Sequence, residues 1–160
     1  MKTFIEFLKD ALRLFFGYPK EGFKYPAMRP IGNGDYELLE DYSVTVSFTR
    51  GRRVIRITVR KGFRWDGASV PSPFWSFLEP PTGARHSAGS VIHDALYRAQ
   101  ITSRIFADMV YAKVLVQAGF PYWKTILELV ALRKFGDKAW SENAEKDVVH
   151  AMHHLVIEPV

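Results

Sequence analysis

The chain contains no cysteine among its 160 residues. Disulfide bridges and thiolate metal sites are therefore excluded, and the composition fits folding in a reducing compartment. Long apolar runs are also missing, because charged residues interrupt the apolar N-terminus at Glu6, Lys9, Asp10 and Arg13. We therefore expect neither a cleaved signal peptide nor a membrane-spanning helix.

Two catalytic motifs and one binding pattern are absent as well. No glycine-rich phosphate loop occurs, and Ser69 does not lie in a G-x-S-x-G nucleophile motif. The formal charge is +5, but no long Lys/Arg run concentrates it. The densest basic group surrounds a predicted hairpin and comprises Arg50, Arg52, Arg53, Arg56 and Arg60. We interpret it as a solvated β-ribbon; nucleic-acid binding through these arginines is the weaker alternative.

Hydrophobic periodicity predicts one α+β domain over residues 1–160. Its parts are a helix within 1–17, a hairpin region at 36–62, an aromatic and proline-rich loop at 63–85, and a helical region at 86–155. Alternating apolar residues place the hairpin at about 42–60, and a third strand could lie near 36–39. A small antiparallel sheet should therefore pack on four to five helices.

The N-terminal helix is predicted over residues 3–16 and should end at Gly17. Its apolar residues recur at helical spacing: Phe4, Ile5, Leu8, Leu12, Phe15 and Phe16. The favoured interpretation is a helix that packs on the core. The alternative is contact with a membrane surface, because bulky apolar side chains oppose a polar face.

Four further helices are predicted in the second half, at about 86–99, 103–118, 121–134 and 137–155. Ser103 is a suitable N-cap, and Gly119 is suited to the position after a helix end. Pro121 should open the third of these helices, with Gly136 beyond its end. The short link "ITS" predicts that the first two are antiparallel neighbours.

The predicted helices bring together residues that could carry chemistry. His86, His93 and Tyr97 lie on nearly the same face of one helix, and Asp94 follows His93 directly. Asp108 on the next helix could reach back to His93 or Tyr97 and fix the imidazole tautomer. Asp66, in the preceding loop, is a further carboxylate that the fold could bring nearby.

A structural interpretation of the same residues stays open. His93 could be a hydrogen-bonded core residue, with Asp94 paired to Arg98 and Asp108 paired to Arg104 at helical spacing. Asp66 could cap a turn. Near the C-terminus, His150 and His154 are four residues apart and could bind zinc, although no acidic or thiol partner stands at motif spacing.

Four motifs in order resemble an uncharacterised family of tailed-phage and prophage proteins, and the resemblance covers about residues 35–140. The motifs are "GFRWDGASVP" at 62–71, "HDALY" at 93–97, "AD" at 107–108 and "ALRKFGDKAW" at 131–140. Trp65 stands where the pattern usually has Thr. The resemblance implies a phage origin and an α+β fold, and hence a location in the host cytoplasm or in a phage particle. It implies no established activity.

A second resemblance, over residues 63–112, is to phospholipases of the A-two class. It implies that His93 is a general base, Asp94 a calcium ligand, Asp108 a brace for His93 and Tyr97 the hydrogen-bond partner of that brace. Carbonyls of residues 65–68, with Asp66 close by, would complete the calcium shell, and zinc is the lesser expectation. Those enzymes are rich in disulfides, whereas this chain has no cysteine.

Two functional hypotheses follow from these observations. One is a metal-assisted hydrolase of an ester or lipid, built on His93, Asp94, Asp108 and Asp66. The other is a non-catalytic phage protein, part of a virion or tail or a factor that binds a host protein, in which the same residues form a buried polar network.

Overall fold

A computed structural model describes residues 4–48, 53–66 and 83–160 of the chain. Its helices are α1 (Phe4–Phe16), α2 (Ala84–Ala99), α3 (Arg104–Gln117), α4 (Tyr122–Phe135), α5 (Asp137–Ser141) and α6 (Glu145–His154). Its strands are β1 (Met28–Gly32), β2 (Asp35–Leu38), β3 (Tyr42–Phe48), β4 (Arg53–Val59), β5 (Arg64–Trp65) and β6 (Leu155–Pro159). The α+β prediction is therefore confirmed.

The predicted hairpin is present as antiparallel β3 and β4, with Tyr42 opposite Val59 and Val46 opposite Ile55. Alternate residues of β3 are buried from Tyr42 to Val46, as the period of two requires for a sheet with one covered face. The turn at 49–52 lies outside the described residues. The core between this sheet and α2 is built from β-branched strand residues and apolar helix residues such as Val91 and Ile92.

The predicted third strand does not join the hairpin. Residues Asp35–Leu38 form β2, which pairs with β1 and β5 in a separate antiparallel sheet of order β1-β2-β5. The hairpin's third strand is instead β6, which runs antiparallel to β4 with Ile57 opposite Ile157. The helical region predicted to residue 155 ends one residue earlier, at His154, and the strand that begins at Leu155 was not predicted.

The helix boundaries agree closely with the predicted ones. Ser103 caps α3, its hydroxyl accepting a hydrogen bond from the Phe106 N–H at 3.2 Å. Gly119 follows α3 with a φ of +87°, in the left-handed region that glycine adopts without strain. The predicted final helix is divided into α5 and α6, with residues 142–144 between them.

The interpretation of α1 as a core-packing helix was wrong. Its described apolar residues Ile5, Leu8, Leu12, Phe15 and Phe16 are 44 to 65% exposed. The helix contacts α4, and Gly17 follows it with a φ of +79°. Among the described residues, none of the helices has the length and hydropathy that crossing a bilayer requires.

Candidate functional site

The candidate site is built on α2, the helix at the centre of the fold. It contacts α3, α6 and β4, and every residue from His86 to Tyr97 is buried. A helix covered on all sides must find partners inside the protein for its polar side chains. The polar residues that the sequence places on α2 are therefore held in buried networks.

His93, Tyr97 and Asp108 form the first of these networks, as the helix spacing predicted. His93 Nε2 lies 3.1 Å from Asp108 Oδ1, and the Tyr97 hydroxyl donates to the same oxygen at 2.6 Å. Asp108 is fully buried and His93 is 5% exposed. Asp108 thus reaches back to both residues, because α2 and α3 are packed neighbours.

Two arginines complete the surroundings of Asp108. Arg133 Nη1 on α4 donates to Asp108 Oδ2 at 3.2 Å, and Arg104 Nε lies 3.8 Å from that oxygen. Arg104 also donates to the Leu132 carbonyl at 2.6 Å, and it pairs with Asp137 at the start of α5. The Arg104–Asp108 pair at helical spacing is thereby confirmed, and α4 and α5 are tied to the network.

Arg133 was not singled out by sequence reasoning, although it lies within the quoted motif "ALRKFGDKAW". The next glycine in that motif also has a steric role. A Cβ on Gly136 would stand 2.6 Å from the Leu132 carbonyl oxygen and 3.0 Å from the Tyr97 hydroxyl. The motif therefore contributes the guanidinium of Arg133 to the network, and its glycine leaves room for the Tyr97 hydroxyl.

The charges of the His93 network stabilise one another. Burial alone would lower the pKa of His93, but its interactions with Asp108 and Asp94 outweigh burial and raise the pKa. Burial would raise the pKa of Asp108, but hydrogen bonds to His93 and Tyr97 and the nearby cations lower it. An ionised Asp108 accepts, so Nε2 of His93 is the nitrogen that donates to it.

The carboxylates of Asp94 and Asp66 both lie close to the guanidinium of Arg98. Arg98 Nη2 lies 3.1 Å from Asp66 Oδ1 and 3.6 Å from Asp94 Oδ2, which confirms the Asp94–Arg98 pair. Asp94 is buried, its Oδ2 has no hydrogen-bond partner among the described residues, and its Oδ1 is 3.9 Å from His93 Nδ1. Burial, with a contribution from Asp66, raises the pKa of Asp94 to about 6.

The described residues fall short of the ligand set that calcium needs. They contain no group of three or more His, Cys, Asp or Glu residues that could hold a metal ion, whereas calcium takes six to eight oxygen ligands. Asp94 and Asp66 supply carboxylates, but both lie close to the Arg98 guanidinium. Of the carbonyls expected from residues 65–68, those of 67 and 68 lie outside the described residues.

His86 belongs to a second buried network, which the sequence did not reveal. It shares a hydrogen bond of 2.6 Å with Glu128 on α4, and the Tyr111 hydroxyl donates to the other oxygen of Glu128 at 2.7 Å. The Tyr111 ring stands 5.0 Å from the His93 ring, so the two networks are adjacent. Glu128 could have been noticed as the one acidic residue in the α4 sequence.

The loop at 63–85 contacts α2 through the part that is described. Trp65 is buried and its indole N–H donates to the Ser90 hydroxyl at 3.2 Å. Phe63 stacks on His150, and the rings of His150 and His154 are 4.3 Å apart. Residues 67–82, with Ser69 among them, lie outside the described residues.

The two C-terminal histidines engage backbone groups of their neighbours. His150 Nε2 accepts from the Arg64 N–H at 3.3 Å, and His154 Nδ1 donates to the His150 carbonyl at 2.7 Å. Within the part of the chain that the structure describes, they belong to no group able to hold a metal. His150 thus links α6 to β5, whereas the bond of His154 lies within α6.

Comparison with known proteins identifies the family. Residues 36–132 match the family described as "Protein of unknown function (DUF1353)", and the match includes the whole His93 network apart from Arg133. Because the match covers more than half of the chain, the chain belongs to this family. No curated protein and no solved structure matches it.

Proposed function

We propose that this member of the DUF1353 family is a hydrolase of ester or lipid substrates, with His93 as the general base. One observation carries the proposal. His93 is held at Nε2 by a buried carboxylate that Tyr97 and Arg133 also bind, while its Nδ1 lies 3.9 Å from the nearest Asp94 oxygen, beyond hydrogen-bond distance. An imidazole braced at one nitrogen is the arrangement that general-base catalysis uses.

The chemistry follows from that tautomer. With its proton on Nε2, His93 has a lone pair on Nδ1 that can take a proton from water as the water oxygen attacks the ester carbonyl carbon. Asp108 stabilises the resulting imidazolium, which then returns the proton to the leaving alkoxide. Water and ester are consumed, and an acid and an alcohol are formed. Tyr97, Arg104 and Arg133 act as positioning residues that keep Asp108 ionised and in place.

Metal assistance is a separate part of the proposal. The phospholipase resemblance assigns Asp94 to calcium, with Asp66 nearby, but the described residues offer too few ligands, and no step above uses a metal. Calorimetric titration of calcium and zinc into the wild type and Asp94→Asn tests this part. Binding that disappears in the variant would support a metal site at Asp94, and a folded wild type that binds neither ion would contradict it.

A second function is favoured by the burial of the site. His93, Tyr97 and Asp108 are all at most 5% exposed, as expected for a structural network that joins α2, α3 and α4. In this alternative the protein is non-catalytic, and its exposed apolar residues bind a phage or host protein. The phage origin implied by the four motifs is compatible with both functions and is also a proposal.

Hydrolysis assays on the full chain distinguish the two functions. The wild type, His93→Gln and the exposed-histidine control His153→Gln are compared on nitrophenyl esters and on phospholipid vesicles, with calcium and with a chelator. If His93 is the general base, His93→Gln should lose activity by about 10²–10⁴-fold while His153→Gln keeps it.

Two further readouts guard against loss of folding. Thermal unfolding shows whether His93→Gln is folded, and the wild-type rate should increase with pH through a pKa above the ordinary 6.5 of histidine, because the base must be neutral. Hydrolysis that is no faster than the uncatalysed reaction, or that is unchanged in a folded His93→Gln, would contradict the catalytic proposal.

A further inference from the structure

Helix α4 buries two polar residues and exposes most of its large apolar residues. Its buried residues are Thr125 and Glu128. Its exposed large apolar residues are 40 to 59% exposed: Tyr122, Trp123, Ile126, Leu127, Val130 and Phe135. A helix at the surface of a soluble domain normally shows the reverse pattern. The apolar side of α4 is therefore open to a partner.

Five of these residues form one continuous stripe, which we call the outer face of α4: Tyr122, Trp123, Ile126, Leu127 and Val130. At about 100° per residue, they lie within an arc of about 140°. The inward direction of Glu128 is explained by its bonds to His86 and Tyr111. The burial of one carboxylate thus turns the apolar stripe toward solvent.

Helix α1 carries a second exposed apolar stripe. It contacts α4, and its own exposed apolar residues also lie on one side of a helix: Ile5, Leu8, Leu12, Phe15 and Phe16. Monomeric soluble proteins rarely expose large apolar patches, and where they do, these mark sites of protein or membrane interaction. Two contacting helices that both expose apolar residues fit a partner with an extended surface better than a single short peptide.

The charged residues of α4 that are not buried, Lys124, Arg133 and Lys134, are all positive. Lys124 Nζ lies 5.5 Å from the ring centre of Trp123, and Lys134 Nζ lies 5.5 Å from that of Phe135, so each end of α4 carries an aromatic ring with an ammonium over it. The acidic residue of α4, Glu128, is buried and bonded. Aromatic rings and lysines flanking an aliphatic centre are typical of helices that lie in the lipid interface.

We propose that the outer face of α4, together with the exposed stripe of α1, binds an anionic lipid surface. The aliphatic centre would enter the boundary between headgroups and acyl chains, and Lys124 and Lys134 would contact lipid phosphates. A second copy of the chain fits less well. If α4 packed against α4, the lysines of the two copies would meet, and no exposed carboxylate of either α4 could pair with them. Arg133, which binds Asp108, places the His93 network next to this surface, but the proposal does not require catalysis.

Vesicle sedimentation of the full chain tests the proposal. The probe is a vesicle of equimolar phosphatidylglycerol and phosphatidylcholine, compared with one of phosphatidylcholine alone. The wild type should bind the anionic vesicle, and binding should weaken as salt is added. The double variant Trp123→Ser/Leu127→Ser should bind at least about tenfold more weakly, because both side chains lose their apolar contact with lipid.

A matched control uses exposed apolar residues of another helix. Val149→Ser/Met152→Ser removes two such side chains from α6 and should leave binding unchanged. The proposal is overturned if the wild type does not bind anionic vesicles, if it binds phosphatidylcholine equally well, or if the control variant loses as much binding. Self-association that the α4 variant abolishes, without vesicle binding, would assign the face to a second copy and also overturn the proposal.

Discussion

Replacing Asp94 with asparagine should stabilise the protein at neutral pH. Burial raises the pKa of Asp94 from 3.8 to about 6. A group whose pKa is raised on folding contributes stability that is present below the unfolded value and lost as pH rises through the folded value. The folded state therefore resists ionisation of Asp94. A difference of about two pH units corresponds to about 3 kcal/mol of lost stability above pH 6, at about 1.36 kcal/mol per unit.

Urea unfolding of the wild type and Asp94→Asn over a pH series measures this effect. The difference in free energy of unfolding should be small at acidic pH and grow between 3.8 and about 6, since only the wild type ionises there. The difference in free energy of unfolding should then reach a plateau of up to about 3 kcal/mol in favour of the variant. This value is an upper limit, because the buried asparagine amide also needs hydrogen-bond partners.

Glu142→Gln is the matched control, since it makes the same change of charge at an exposed residue. It should alter stability by no more than about 0.5 kcal/mol. A plateau near zero, or an Asp94→Asn protein that is less stable at neutral pH, would refute the reasoning. Either result would mean that the Asp94 carboxylate is already compensated, by Arg98 or by a bound cation.

Further variants probe the two buried networks. Asp108→Asn should cost about 3–5 kcal/mol in urea unfolding, because it leaves buried cations without their carboxylate. In NMR titrations the His93 pKa should lie above 6.5 in the wild type and fall in Asp108→Asn, and an unchanged value would contradict the pairing. Glu128→Gln should cost about 1–3 kcal/mol, since two buried groups share that carboxylate. Gly136→Ala should lower the thermal midpoint, because its Cβ would lie 2.6 Å from the Leu132 carbonyl oxygen.

Local patterns in the sequence predicted much of the fold and the centre of the site. The period of two in residues 42–48, the cap at Ser103 and the glycine at 119 act over a few residues, so they can be read without knowing the tertiary structure. The pairing of His93 with Asp108 was also accessible, because a short link forces two consecutive helices to be antiparallel neighbours. Tyr97 followed from its position one helical turn after His93.

Other features depend on packing between distant segments. Arg133 and Glu128 lie on α4, and nothing in their spacing indicates that they face Asp108 and His86. The segment Leu155–Pro159 became a strand because β4 offered it an edge, although it directly continues a helix. The exposure of the apolar residues of α1 could not be predicted either. An amphipathic pattern does not show whether another part of the chain covers the apolar face.

Residue types and their spacing along the chain were enough to identify the residues that could react, the periods of the strands and helices, and the helix pair that joins His93 to Asp108. Packing between distant segments instead brought Arg98 to both Asp94 and Asp66, turned Glu128 inward to His86, and left apolar residues of α4 exposed to solvent. The reason is physical: hydrogen bonds and dihedral preferences act within a few residues, whereas burial is assigned by the whole packed chain.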